Sequence, residues 1–239
     1  MRKLFIIKTG STFPDTARQY GDFDVWTCDA LGINREETCV VDVEQGAALP
    51  SVEACSGVVV TGSHAMVTDN LPWSMDVASW IPSLLEAEVP FLGICYGHQL
   101  LAHAMGGLVG SHPGGKEIGT VDVHILPEGL TDPLFRSLPL HFPAHVSHSQ
   151  TVLSLPPGAV RLAANSFEPI HAFKLGKRAW GVQFHPEYEV NVMKSYILNQ
   201  ADELKAIGRD VSEILSTVRG TSAAKETLRR FAHIVQKGQ

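Results

Sequence analysis

The residues of this chain best suited to covalent chemistry are a cysteine held between two glycines and a histidine two positions before a glutamate. Cys95 lies in residues 89–99, VPFLGICYGHQ. Residues 89–94 are apolar and read as a short buried parallel strand, with Pro90 near its start, where a strand tolerates it. Cys95 follows in a G-x-C-x-G pattern made with Gly93 and Gly97, and residues 99–105 have helical spacing up to Gly106-Gly107. A strand, a sharp turn bearing a thiol, and a helix form the sulfur counterpart of the G-x-S-x-G nucleophile elbow. A side chain at either flanking glycine would collide with the neighbouring strand or helix. The N-terminal end of a helix also favours the thiolate, the reactive form.

Most lone cysteines are packing residues, so a nucleophile here requires a base. A second apolar run, residues 179–184, ends in His185-Pro186-Glu187. His185 can take the thiol proton, and Glu187 can hold the imidazole tautomer and stabilise its charged form. Pro186 ends the strand, so both side chains project from a rigid exit loop. Cys95 and His185 are 90 positions apart. An open parallel sheet can bring them together, because its active sites collect at the carboxyl ends of the strands.

Residues 93–99, GICYGHQ, together with residues 181–187, GVQFHPE, resemble the class I glutamine amidotransferases of the cysteine-triad type. The stand-alone group similar to the glutaminase domain of GMP synthase is the nearest in flavour, and the resemblance runs from about Leu4 to Glu187. It implies hydrolysis of the glutamine side-chain amide through a γ-glutamyl thioester on Cys95, releasing ammonia and glutamate. Cys95, His185 and Glu187 would be the catalytic residues. It also implies an oxyanion hole from the Tyr96 N–H and a donor in the loop after the third strand, Ser63 or else Gly62. Ser63 and His64 stand where the family usually has Gly and Pro. Gln99 and the segment Ser147-His148-Ser149 match substrate-binding positions. Gln150 stands where the family often has Asp, so a negative charge that could hold the substrate's ammonium group is missing. No P-loop accompanies these motifs and no cofactor is expected. The ammonia would pass to a separate synthetase chain. The alternatives are a free-standing hydrolase of γ-glutamyl peptides or amides, and a non-enzymatic binding or regulatory protein on the same fold.

These residues need a scaffold. Short apolar runs at residues 3–8, 37–43 and 57–61 alternate with helical patterns at 11–32 and 69–85, which indicates a parallel sheet covered on both faces. The expected fold is α/β: a flavodoxin-like, open, mostly parallel sheet with helices on both faces and a C-terminal helical extension. Residues 1–190 would form the amidotransferase domain and 191–239 helices packed on it or at a homodimer surface. Pro82 interrupts the helical pattern after Trp73, and a hairpin is expected at Leu175-Gly176-Lys177. His141, His145 and His148 have helical spacing, but Pro143 and the β-branched residues nearby argue against a helix, so no metal site is expected.

Of the 239 residues, 44% are hydrophobic and 18% charged, which suits a chain with a sizeable core. The net charge of −6 argues against nucleic acid as partner. The four cysteines show no C-x-x-C pairing and fit a reducing cytoplasm. The apolar part of MRKLFIIKTG is too short for a signal core or a membrane span, and no later segment reaches spanning length.

Overall fold

The computed structural model describes residues 2–237. Its centre is a parallel arrangement of β1 (Lys3–Lys8), β2 (Thr38–Asp42), β3 (Cys55–Val60), β4 (Phe91–Ile94) and β11 (Ala179–Val182), in the order β2-β1-β3-β4-β11. Side-chain alternation explains why both faces must be covered. Leu4 and Ile6 of β1, Val59 of β3, Leu92 and Ile94 of β4 and Trp180 and Val182 of β11 enter one core. Phe5, Ile7, Val58, Val60, Phe91 and Ala179, the intervening residues, enter the other. The first core is closed by α2 (Phe23–Leu31) and α8 (Ser222–Lys237), the second by α3 (Pro72–Glu86) and α4 (Tyr96–Ala104).

Among the described residues these parallel strands are five of the nine in the sheet. Beyond β11 the order continues β10 (Ala172–Leu175), β9 (Val160–Ala164), β6 (Glu117–Ile125) and β7 (His141–His148), all antiparallel. The β10–β11 hairpin turns at the expected place, with Gly176 at φ +59°. A separate pair, β5 (Leu108–Ser111) and β8 (Gln150–Ser154), is also antiparallel. His141, His145 and His148 lie on β7, a strand, so His148 faces away from the other two.

Gly21 separates α1 (Pro14–Tyr20) from α2, with φ +85° at the break. Pro82 does not break α3: it lies on the exposed side while Val77, Ala78, Ile81 and Leu84 hold the other side on the sheet. Tertiary burial here outweighs the roughly 3 kcal/mol that proline costs a helix interior. After His185 the chain forms α5 (Val190–Asn199), α6 (Ala201–Ala206), α7 (Val211–Thr217) and then α8. Val192, Met193, Tyr196, Ile197, Leu204 and Ile214 from α5–α7 pack with Phe23, Trp26 and Tyr188 in a third, smaller core. No helix among the described residues is long and apolar enough to cross a membrane.

Candidate active site

The carboxyl ends of β3, β4 and β11 meet at one cavity of about 370 Å³. Cys95 is the residue immediately after β4. It caps α4 with φ 49° and ψ −95°, a backbone conformation costly for any residue with a side chain. Its surroundings impose that conformation. The Cys95 N–H donates to the Val182 carbonyl (2.8 Å), its carbonyl accepts from the Gln99 N–H (3.1 Å), and the Gly97 N–H donates to the Thr61 carbonyl (3.2 Å). These bonds tie the elbow to β11, α4 and the end of β3. The two flanking glycines are required by contact with backbone. A Cβ on Gly93 would fall on the Gly97 carbonyl group, and one on Gly97 would fall on the Val60 carbonyl.

His185 follows β11, and its N–H donates to the His145 carbonyl of β7 (2.8 Å), so both halves of the sheet fix its backbone. Its Nδ1 meets Glu187 Oε1 at 2.8 Å, which leaves Nε2 free for the Cys95 sulfur, whose electrostatic influence the ring feels and which lines the same cavity. Cys95, His185 and Glu187 are all buried. Burial alone would lower the basicity of His185. The Glu187 carboxylate and then the Cys95 sulfur overcome that and raise its pKa to about 10. Tyr188 stacks on the ring at 4.0 Å between centroids and 18° between planes, which fixes the ring's plane as Glu187 fixes its tautomer. His145, beneath it, is driven the other way, to about 4, by burial and by the charge of His185.

Gly62 passes so close to His185 that a Cβ there would lie 2.9 Å from Cε1. Ser63 sits beside it on the cavity wall with an ordinary negative-φ backbone, so this position does not require a glycine. The Ser63 Oγ accepts from the Ala65 N–H (3.1 Å) and shapes the loop. Tyr96 is the first helical residue, so its N–H has no acceptor within the helix.

Gln99, Ser147, His148 and Ser149 all reach the cavity, with different capacities. The Gln99 Nε2 donates to the Gln150 carbonyl (2.8 Å) and to Gln183 Oε1 (2.9 Å). Both ring nitrogens of His148 have protein partners, Glu117 Oε2 at 2.9 Å and the Gln150 carbonyl at 3.0 Å. Its ring therefore braces the wall. Glu117 also accepts from Asn165 Nδ2 (2.8 Å). Although burial opposes its charge, these hydrogen bonds and the nearby histidines hold its pKa below the usual carboxylate value. Gln150 donates through Nε2 to Thr68 Oγ1 (2.6 Å), and its Oε1 is buried without a partner.

The far wall was not legible as motif. Tyr196 and Gln200, and Glu203 of α6, face the cavity from beyond the triad. Gln200 Nε2 donates to Ser147 Oγ (3.3 Å), and Lys116 bridges to Glu203 with Nζ–O distances of 2.8 and 2.9 Å. Tyr196 and Glu203 sit on helices with ordinary helical spacing and Gln200 caps the join between them, so only packing reveals their use. Tyr188 had a local signal, its place directly after Glu187.

A buried thiol, imidazole and carboxylate in series, at an elbow on an open α/β sheet, define a cysteine-triad class. The chain belongs to the class I glutamine amidotransferase family, which residues 28–203 match. It is 33% identical to a glutamine-hydrolyzing GMP synthase of Aeropyrum pernix over 86% of this chain and 39% of that protein. It is 39% identical to the GMP synthase of Mycobacterium tuberculosis over 44% of this chain and 19% of that one. It thus spans about two fifths or less of the length of these relatives. A solved glutamine amidotransferase from Thermotoga maritima superposes with a TM-score of 0.75 at 25% identity, covering 99% of both chains. One from Methylobacillus flagellatus gives 0.77 at 24% identity, covering 100% of this chain and 95% of that one, a likeness of fold.

Proposed function

We propose that this chain hydrolyses the γ-amide of glutamine through a γ-glutamyl thioester on Cys95. The observation that carries the reading is the Cys95–His185–Glu187 series opening on the cavity. His185 takes and holds the thiol proton while the Cys95 sulfur attacks the γ-carbonyl. The N–H groups of Tyr96 and Ser63, with Gly62 as the alternative to Ser63, stabilise the oxyanion, each donor by about 3 kcal/mol. His185 gives its proton to the leaving ammonia, then takes one from the water that cleaves the thioester. Glu187 holds His185 in place throughout. Gln99, Ser147 and Ser149 position the glutamyl group, with His148 acting through the wall it braces. The ammonia goes to a synthetase, in keeping with the relatives named as GMP synthases, and the setting is cytoplasmic.

A second reading, hydrolysis of a γ-glutamyl peptide or amide, is favoured by Gln150. It presents a neutral, unpartnered oxygen where a carboxylate would hold a free amino acid's ammonium group. The test measures glutamate release from glutamine and from a γ-glutamyl dipeptide side by side, with Cys95→Ala as control. Turnover of glutamine that vanishes in Cys95→Ala supports the first reading. Preferential cleavage of the dipeptide supports the second. Turnover retained by the variant refutes both.

A further inference from the structure

A second cavity, of about 340 Å³, lies at the other end of the strands. Arg178, on its wall, immediately precedes β11, and the Arg178 carbonyl accepts from the Phe91 N–H at the start of β4. Cys95 follows the far end of β4. Four residues at about 3.3 Å each separate the two ends by roughly 13 Å, so this hollow is no part of the triad's cavity.

Its lining is strongly cationic in a chain of net charge −6. Arg136, Arg178, Arg229, Arg230 and Lys237 are five of the 19 lysines and arginines, and they face a single carboxylate, Glu226. Glu226, Arg229, Arg230, His233 and Lys237 form one stripe of α8 at helical spacing. The opposite stripe, Leu228, Phe231, Ala232 and Val235, is buried in the core. Complementing the helix dipole accounts for cations in the last turn of α8. It does not account for Arg136, which comes from a loop of the antiparallel half.

Two of the arginines are held in place by neutral groups. Arg230 donates from Nε (3.1 Å) and Nη2 (2.8 Å) to the Pro133 carbonyl, and Arg178 donates from Nη2 to the Ile234 carbonyl (3.0 Å). Both are half-buried, whereas Arg136, Arg229 and Lys237 are exposed around them. A guanidinium has five N–H donors, so most of those on Arg178 and Arg230 remain unused. Among the described residues, Arg136, Arg178 and Arg230 have no carboxylate within ion-pair distance, and Glu226 pairs with Arg229 at 3.7 Å. Fixed, like-charged forks around a hollow repel one another until an anion of several charges neutralises them.

We propose that this cavity binds a small molecule bearing a di- or polyphosphate group. Planar guanidinium forks match phosphate oxygens two at a time. A concave volume of this size, floored by half-buried arginines, fits a compact ligand better than the flat basic stripe that a polymer tracks.

Calorimetric titration of the full chain with inorganic pyrophosphate, tripolyphosphate and ADP tests this. Citrate and a polyglutamate peptide serve as competitors of other chemistry, and Arg136→Glu/Arg229→Glu as the variant. Neither exposed arginine is bonded to backbone, and thermal unfolding without ligand checks that the variant folds. Pyrophosphate and tripolyphosphate are expected to bind the wild type, to raise its melting temperature, and to bind the variant about ten- to a hundredfold more weakly. ADP binding tighter than pyrophosphate identifies a nucleotide, and equal binding an inorganic chain; both support the proposal. Absence of binding by any phosphate compound would overturn it. So would undiminished binding to the folded variant, or citrate or polyglutamate binding as tightly as the phosphates.

Discussion

Replacing Glu187 by Gln keeps an oxygen for His185 Nδ1 and removes the charge, so it isolates what the carboxylate does. His185 stands at about 10 against an ordinary 6.5. Burial opposes that charge, and the Glu187 carboxylate is the largest influence that restores it. Removing one partner of a buried, hydrogen-bonded charge pair costs roughly 3 kcal/mol, or about a hundredfold in kcat/KM. The pH profile separates this cause from simple misfolding. The basic limb of kcat/KM reports deprotonation of His185 in the free enzyme, and in the variant it moves to lower pH, because the largest influence raising the ring's pKa is gone. Stability follows the same sign. Because the folded pKa is raised, the stabilisation is complete below about 6.5 and is lost as pH rises through about 10. The variant's deficit in unfolding free energy is therefore present near neutral pH and disappears at the alkaline end. The assay is glutamate release and urea unfolding across that range. A basic limb that stays in place while the rate falls would refute the account of Glu187.

Three further perturbations bear on the same scaffold. Cys95→Gly relieves the φ 49°, ψ −95° conformation that Cys95→Ala retains, so the glycine variant unfolds with a free energy about 1 kcal/mol higher than the alanine one; a less stable glycine variant would show the elbow to be unstrained. Gly62→Ala places a methyl against His185 Cε1, and glutamate release falls at least about tenfold while the melting temperature shifts little, since one displaced ring costs only about 1–2 kcal/mol. Glu117→Gln leaves His148 without its charged partner and destabilises the fold by about 3 kcal/mol. Because the folded pKa of Glu117 is lowered, that stabilisation is present above the ordinary carboxylate pKa of 4.5 and is lost as pH falls through the lower folded value. Chemical unfolding near pH 7 and at progressively lower pH checks both statements.

What could be read in the chain, and what could not, divides along a physical line. Cys95, His185 and Glu187 were legible because a tight elbow and a strand exit demand particular residues at fixed offsets: Gly93 and Gly97 where backbone meets backbone, Pro186 where the strand stops. The parallel strands were legible because burial on both faces leaves unbroken apolar runs such as those in β3 and β4. The antiparallel half was less so. Its strands alternate with turn-rich stretches that fit several pairings, and β9 and β10 show their order only through register. The cavity wall made by Tyr196, Gln200 and Glu203 leaves no trace at all, since a helix stripe looks alike whether it meets a core or a substrate. His148 lines the cavity at the position that matched a binding segment, and what the sequence could not show is that its ring also meets Glu117 and the Gln150 carbonyl. The basic stripe of α8 was present at helical spacing, yet it becomes a hollow only with Arg136 and Arg178 beside it.

The bond from the His185 N–H to the His145 carbonyl has a meaning for the order in which this protein is made. Synthesis proceeds from the N-terminus, so β1 to β4 leave the ribosome with the Cys95 thiol long before its base exists. For those 90 residues the sulfur has neither His185 beside it nor α5 and α6 in front of it. Reactivity therefore arrives late and all together, when β11 inserts between β4 and β10 and the strand exit docks on β7. A nascent or partly unfolded chain carries the thiol without its base, and on the proposed mechanism the onset of Cys95-dependent turnover would be a direct clock for the completion of the sheet.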